Sequence, residues 1–261
     1  MQIIITMAGL GQRFKDAGGD VAKPFVQVDG KPVLKHLTDV LPDDWKIFFA
    51  VGEHLKSDDT EKQIKNLNKN DYEIIYVPYS AQGPVDTVAA VLPRLELNKP
   101  VIVSYCDYTM IWDAADFLQQ INITNADAAI VSYKGFQPTY LGPNSYCHLK
   151  VDENNFVTDL QEKKLYTDNI QKEWTSCGLY YFKSSAFLKE CLLEQQKQNL
   201  CFKRDGVDLE FYTSLALLAI KNTEPKIKIL NFQIKYFIQF GTPFDIQLYE
   251  YFKNYFDLNK N

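Results

Sequence analysis

Two basic side chains bracket a glycine-rich stretch near the start of the chain. Ala8-Gly9-Leu10-Gly11-Gln12-Arg13-Phe14 is followed, ten residues after Arg13, by Lys23-Pro24. Backbone free of side chains can approach a ligand closely, and its N–H groups can then point at an anion. Arg13 can grip phosphate oxygens with a planar fork, and Lys23 can neutralise them as a point charge. The chemistry this suits is binding of a nucleoside triphosphate. Two familiar phosphate loops do not fit. No Gly-x4-Gly-Lys-Ser/Thr string occurs, and Phe14 stands where a dinucleotide fingerprint needs its third glycine. A second candidate is Asp107, separated by one residue from the apolar run Pro100–Tyr105. A carboxylate at the end of a buried strand is costly unless solvated or paired. It is either a cap or turn aspartate or a ligand-binding acid.

The elements that must position these residues can be read from the pattern. Gln2–Met7 (QIIITM) is a short isoleucine-rich run, as expected of a strand buried on both faces, and it opens into the glycines. Phe25–Val28 reads as a second short strand, closed by Asp29-Gly30. Helix and strand patterns then alternate: a helix over Val33–Leu41, a strand over Lys46–Val51, a helix over Asp58–Leu67, a strand over Tyr72–Val77, a helix over Val85–Leu95 and a strand over Pro100–Tyr105. Such alternation predicts an α/β fold, with a mostly parallel sheet and helices on both faces. Ligands of these sheets bind beyond the carboxyl ends of the strands, where both the glycine loop and Asp107 lie. The second half is less regular. Asp127–Ser132 reads as a strand, Gly135–Ser145 as a loop, and Tyr146–Val151 with Phe156–Leu160 as a hairpin. Val207–Ile220 reads as a helix with Asp208 and Glu210 in its first turn, where carboxylates suit the helix dipole. Ile227–Leu230 and Ile234–Phe237 read as strands, and Phe244–Leu258 as a last helix whose stripe of Leu248, Tyr251, Phe252, Tyr255 and Phe256 is expected to face the core. Its excess of aromatics leaves room for a homodimer contact.

The totals set bounds. The 261 residues suffice for a single α/β domain with a sizeable core. A net charge of -5 gives no general attraction to nucleic acid or to an anionic membrane, so a phosphate site must be a local concentration of positive charge. The five cysteines, at 106, 147, 177, 191 and 201, include no Cys-x-x-Cys pair and read as reduced thiols. No leader-like segment opens the sequence and no apolar run approaches the ~20 residues of a membrane span. The expectation is a cytoplasmic protein. There is no internal repeat, and no hexapeptide array that would add a left-handed β-helix.

The combination Ala8-Gly9-x-Gly11-x-Arg13-Phe14 followed by Lys23-Pro24 resembles the N-terminal signature of the sugar-phosphate nucleotidyltransferases, the pyrophosphorylase family with a Rossmann-like, GT-A-like α/β fold. The resemblance implies that the glycine loop, Ala8, Gly9 and Gly11, wraps the triphosphate while Arg13 and Lys23 hold its phosphates. It implies that Asp107 is a ligand of Mg²⁺. Ser80-Ala81-Gln82-Gly83-Pro84-Val85-Asp86-Thr87 looks like the family's base-reading segment, with Gln82 offering donor and acceptor together and Gly83 letting the base lie flat. Glu162-Lys163 matches the pair that meets the second substrate, Glu162 at its hydroxyls and Lys163 at its phosphate. Trp174–Phe182 resembles the family's acceptor strand. It keeps Gly178 but carries Ser176 in place of the usual Asn. Gln239 stands where a second metal-binding Asp is usual, so either Asp107 works with substrate phosphates and water or an acid such as Asp205 or Glu210 completes the shell.

The implied activity is nucleotidyl transfer from a nucleoside triphosphate to a phosphorylated small acceptor, foremost a sugar 1-phosphate, with release of pyrophosphate. Precursor supply for a surface polysaccharide is the role that goes with it. Residues 1–125 would form the nucleotide half of one domain and residues 126–261 the acceptor half. The alternatives are a GT-A glycosyltransferase, which Asp107-Tyr108-Thr109 disfavours for want of Asp-x-Asp, a cytidylyltransferase acting on a non-sugar phosphate, and a nucleotide sensor without turnover.

Overall fold

The structure, a computed structural model, describes residues 1–141, 144–204 and 207–258. Its strands in chain order are β1 (Gln2–Met7), β2 (Gln27–Val28), β3 (Lys31–Pro32), β4 (Lys46–Gly52), β5 (Tyr72–Val77), β6 (Val101–Tyr105), β7 (Tyr108–Ile111), β8 (Ala128–Tyr133), β9 (Cys147–Val151), β10 (Val157–Glu162), β11 (Trp174–Phe182), β12 (Phe202–Arg204), β13 (Val207–Glu210), β14 (Ile229–Gln233) and β15 (Tyr236–Gln239). The helices are α1 (Gln12–Asp16), α2 (Val33–Thr38), α3 (Asp58–Lys65), α4 (Pro84–Val91), α5 (Ala114–Thr124), α6 (Ser185–Lys197), α7 (Thr213–Thr223) and α8 (Pro243–Leu258).

Nine strands form one mixed, mostly parallel sheet. Its path is β10-β9-β11-β6-β1-β4-β5, with β8 pairing β11 and β14 pairing β8. β1 lies between β4 and β6, parallel to both, and β4 carries β5 in parallel at the edge. β10 and β11 run against the rest. All six residues of β1 are buried, which is why it carries no polar alternation. Its pleat divides the core. Ile3, Ile5 and Met7 join Ile47, Phe49 and Val51 on one face. Ile4 joins Phe48 and Ala50 on the other, under Val85, Val88 and Val91 of α4. Helices therefore cover both faces. α3, α5 and α6 start where Ser57, Asp113 and Ser184 accept hydrogen bonds from first-turn N–H groups.

Three expectations need correction. Val207–Glu210 is not helical. It pairs antiparallel with Phe202–Arg204, and the helix starts only at Thr213. The Lys23–Phe25 segment is a single 3-10 turn, so the second strand shrinks to the two residues of β2. The aromatic stripe of α8 does not face the core. Tyr251, Phe252, Tyr255 and Phe256 are exposed, while Ile246 and Tyr249 of the same helix pack with Phe14 and Phe240.

Candidate active site

The carboxyl ends of β1, β5 and β6 open onto one cavity of about 570 Å³, a size suited to a small-molecule substrate. Ala8, Gly9 and Gly11 follow β1 along its wall. Gly11 has φ +64°, a left-handed conformation that favours glycine, and its carbonyl accepts from the Phe14 N–H at 2.9 Å. Buried Phe14 anchors α1 and leaves Arg13 on the cavity rim, exposed to water. Lys23 comes from the turn after the loop. Its ammonium lies 2.8 Å from Asp107, the two side chains being 25% and 19% exposed. Burial pulls the Lys23 ammonium down, and the Asp107 charge and hydrogen bond more than offset this, so its pKa is raised. Cys106 beside them is pushed by burial to about 12 and stays a thiol.

β7 and β15 form a small ribbon that brings Gln239 to this corner. Gln239 pairs with Tyr108, and the Phe240 N–H donates to the Asp107 carbonyl at 2.7 Å. A Cβ on Gly241 would lie 2.5 Å from Gln239 Nε2 and 3.1 Å from Asp107 Oδ2, so the absent side chain is what lets amide and carboxylate converge. Gln239 Oε1 is buried with no hydrogen-bond partner among the described residues. Among the described residues no three His, Cys, Asp or Glu side chains gather closely enough to hold a metal. Asp205, a candidate for the shell, lies outside the described residues. Glu210 stands with Lys163 instead.

The opposite wall carries Glu162 and Lys163 at the end of β10. Glu162 accepts from the Ser214 hydroxyl. Burial pushes its carboxyl up to about 7, against the pull of Ser214 and of the neighbouring Lys163 charge. Lys163 has φ +56°, and its N–H donates to the Tyr146 carbonyl at 2.7 Å. Its ammonium donates to the Tyr212 hydroxyl at 2.6 Å and lies 3.6 Å from Glu210. β11 supplies Gly178 at an irregularity in its pairing with β8. Gly178 has φ +88°, and a Cβ there would meet the Tyr105 ring at 2.6 Å. Ser176 does not reach outward as an Asn could. Its hydroxyl accepts the Gly178 N–H and donates to Tyr180, both at 3.1 Å.

Gly83 lines the cavity, but the Gln82 side chain is exposed and off its wall. What Gln82 contributes is its carbonyl, which accepts from the Phe211 N–H at 2.7 Å. Arg13, Lys23, Asp107, Glu162, Lys163 and Gly178 thus share one cavity. Glu210, expected only as a possible metal ligand, and Tyr212, which was missed as a site residue, line it too, because the segment over 207–210 is a strand and not the expected helix. The alternation Val-Asp-Leu-Glu at 207–210 was the available signal for a strand.

Known proteins resemble this chain in sequence and in fold. The family profile of the MobA-like NTP transferase domain matches residues 3–163. The bifunctional protein GlmU of Methanocaldococcus jannaschii is 24% identical over 249 residues, which are 94% of this chain and 52% of that protein. The chain therefore spans about half the length of that relative. A nucleoside-diphosphate-sugar pyrophosphorylase from Vibrio cholerae superposes with a TM-score of 0.72 at 18% identity, covering 94% of this chain and 98% of that one. The inositol-1-phosphate CTP transferase from T. maritima superposes with a TM-score of 0.68 at 14% identity, covering 95% and 94%. At such identities the two structures show a common fold.

Proposed function

The chain belongs to the MobA-like NTP transferase family, and from that premise we propose that it transfers a nucleotidyl group from a nucleoside triphosphate to a phosphorylated small molecule, releasing pyrophosphate. One observation carries this reading: a single cavity holds both the glycine loop with Arg13, Lys23 and Asp107, and Glu162, Lys163 and Gly178 across from them. An acceptor phosphate on the Lys163 side faces a triphosphate on the loop side. Its oxygen attacks the α-phosphorus in line, and pyrophosphate leaves toward Arg13 and Lys23. No general base is needed, since a phosphate monoester is largely dianionic at neutral pH, with a second pKa near ~6. The chain's own work is positioning and charge stabilisation. Arg13 and Lys23 take the charge of the leaving pyrophosphate, Lys163 orients the attacking phosphate, and Glu162 accepts from acceptor hydroxyls. Gly178 lets the acceptor lie against backbone.

Mg²⁺ fits the corner at Asp107. The Asp107 carboxylate and the Gln239 side chain meet over Gly241, and the buried Gln239 Oε1 has no hydrogen-bond partner among the described residues; carboxylate and amide oxygens are donors of the kind Mg²⁺ accepts. When bound, the ion would offset charge on phosphate oxygens. Asp107, with Gln239 beside it, would hold the ion, and substrate phosphates and water would be needed to complete the binding. The acceptor we favour is a sugar 1-phosphate, made for polysaccharide precursors in the cytoplasm. Residues 1–125 act on the nucleotide and 126–261 on the acceptor within one domain. A glycosyltransferase is disfavoured, because Tyr108 is buried with its hydroxyl on Ser104, 2.8 Å away, and no second acid follows Asp107.

The test is pyrophosphate release from each of the common ribonucleoside triphosphates, paired with glucose 1-phosphate, inositol 1-phosphate and glycerol 3-phosphate. Arg13→Ala and Lys23→Ala are each expected to slow turnover by about a hundredfold, the scale of a lost transition-state charge contact of ~3 kcal/mol. Lys163→Ala should raise the acceptor KM and leave triphosphate affinity nearly unchanged. Full activity in Lys23→Ala, or loss of triphosphate binding in Lys163→Ala, would overturn the arrangement.

A further inference from the structure

Lys163 is held from one side by Glu210 and Tyr212 of one short segment, with the Phe202 ring of β12 beside it. Its ammonium donates to the Tyr212 hydroxyl at 2.6 Å. It lies 3.6 Å from the Glu210 carboxylate and 4.5 Å from the centre of the Phe202 ring. Tyr212 also lies with its ring centre 4.8 Å from that ammonium, but the shorter hydroxyl distance makes the contact a hydrogen bond at the ring's edge. The Tyr212 hydroxyl in turn donates to Glu210, so carboxylate, phenol and ammonium form one closed set. Charge-assisted hydrogen bonds of this kind fix a side chain more firmly than neutral ones.

The same segment is fastened to the loop after β5. The Phe211 N–H donates to the Gln82 carbonyl at 2.7 Å, and the Val85 N–H donates to the Phe211 carbonyl at 3.3 Å. Gly83, between them, has φ +99°, and a Cβ on it would lie 2.9 Å from the Phe211 carbonyl oxygen and 3.1 Å from the Glu210 Cβ. Glycine at 83 therefore permits a backbone contact too close for any side chain. Residues 210–212 thus bridge two parts of the cavity wall that lie about 80 residues apart in the chain, the Gln82–Val85 loop and Lys163. Movement of the loop must carry Glu210 and Tyr212 with it, and they carry the lysine.

We propose that Glu210 and Tyr212 are positioning residues for Lys163, and that through Phe211 they tie the lysine's place to the Gln82–Val85 loop, so that seating a nucleotide against the loop sets Lys163 for the acceptor phosphate. This rests on the nucleotidyl-transfer reading of the cavity. Neither residue touches the reacting atoms in this scheme. Each acts through Lys163, and the coupling is reciprocal, as any binding linkage must be.

The experiment is competitive acetylation of the full chain with acetic anhydride, read lysine by lysine by mass spectrometry, with thermal melts to confirm folding. In the unaltered protein Lys163 should react slowly. Glu210→Gln and Tyr212→Phe should each speed its acetylation by about tenfold, the scale of one lost charge-assisted hydrogen bond, and leave Lys31 unchanged. The combined variant should react less than the product of the two predicts, because the three groups act as a unit. Each ribonucleoside triphosphate with Mg²⁺ is then added separately. The one that protects Lys23 should change the Lys163 rate in the unaltered protein and leave it unchanged in Glu210→Gln. Equal Lys163 rates in the unaltered protein and both variants would overturn the positioning role. An equal nucleotide response in Glu210→Gln would overturn the coupling alone. Absence of Lys23 protection by every triphosphate would overturn the nucleotide reading and the coupling with it, while the two variants still decide whether Glu210 and Tyr212 hold Lys163.

Discussion

Glu162 is expected to make the protein less stable as the pH rises toward neutrality, and Glu162→Gln should remove that loss. Burial is the largest influence on its carboxyl. It outweighs the Ser214 hydrogen bond and the Lys163 charge and lifts the pKa from 4.5 to about 7. Between those values the unfolded chain has released the proton and the folded one keeps it. The folded state then binds more protons, so stability falls as pH rises through the window and levels off above it. At ~1.4 kcal/mol for each tenfold step in proton affinity, the full difference is about 3 kcal/mol. Contact with cavity water trims this to roughly 2 kcal/mol. Glutamine keeps the shape and an acceptor for Ser214 but carries no charge. For a chain of this size ~2 kcal/mol corresponds to roughly 4–8 °C in Tm. Melting curves of both proteins between about pH 4.5 and pH 8.5 are the assay. The curves should nearly coincide at the acid end, and the glutamine variant should gain through the window to its full advantage near pH 8. A gap that does not change with pH would refute the assignment of a costly charge to Glu162. A variant less stable at pH 8 would show that the carboxylate is stabilised in the cavity.

Lys23→Ala should strand the Asp107 carboxylate and Asp107→Asn should strand the Lys23 ammonium, each lowering stability by about 2 kcal/mol, a value below that of a fully buried pair. The combined variant should lose less than the sum, and additive losses in urea melts would mean that the pair is not coupled. Since the Lys23 pKa is raised, this contribution is present throughout the neutral range and is lost only as pH climbs through the folded value, above 10.5. Gly178→Ala should cost about 2–4 kcal/mol, from positive-φ strain and from overpacking against Tyr105. An unchanged Tm would show that β11 can relax there.

The legible parts of the fold share a physical cause. β1, β4 and β6 are interior strands flanked by neighbours on both edges, so their sequences are continuous apolar runs that no surface helix would carry. The glycine loop was legible because backbone conformation restricts residue type, and Gly11 sits at a left-handed φ. Side-chain direction was not legible in the same way. Gln82 has the right donor and acceptor for a base edge, yet its side chain is exposed and its bonds are those of its backbone, the N–H donating to the Ser80 hydroxyl and the carbonyl accepting from the Phe211 N–H. Val207–Glu210 was lost because its four-residue strand runs directly toward the strong helical pattern of Thr213–Thr223. The stripe on α8 shows the remaining limit. A period of 3.6 says that a helix has an apolar face and is silent on what covers it. In α8 the burial falls on Ile246 and Tyr249, while Tyr251 and Tyr255 are 62% and 63% exposed.

The pairing of charges in the cavity bears on how an acidic chain can bind polyanions at all. With a net charge of -5 there is no surplus of positive charge to draw phosphate in. Unpaired ammonium groups in a half-buried wall would also be costly while the cavity holds only water. The structure answers both constraints with one device. Lys23 stands on Asp107 and Lys163 on Glu210, and only Arg13 faces water without a carboxylate within ion-pair distance among the described residues. On the proposed reading, substrate entry is then an exchange of partners. Lys23 would exchange its carboxylate for the triphosphate, leaving Asp107 free to hold Mg²⁺, and Lys163 would share its ammonium between Glu210 and the acceptor phosphate. Exchange keeps the net cost of desolvation small on each side, because both lysine ammonium groups already stood in the cavity with a carboxylate partner. It also sets an order. Neither metal nor triphosphate alone gives both members of the Lys23–Asp107 pair a replacement, whereas the metal–triphosphate complex gives both at once. The corner at Gln239 fits that order, since a single carboxylate there would hold Mg²⁺ weakly without phosphate oxygens.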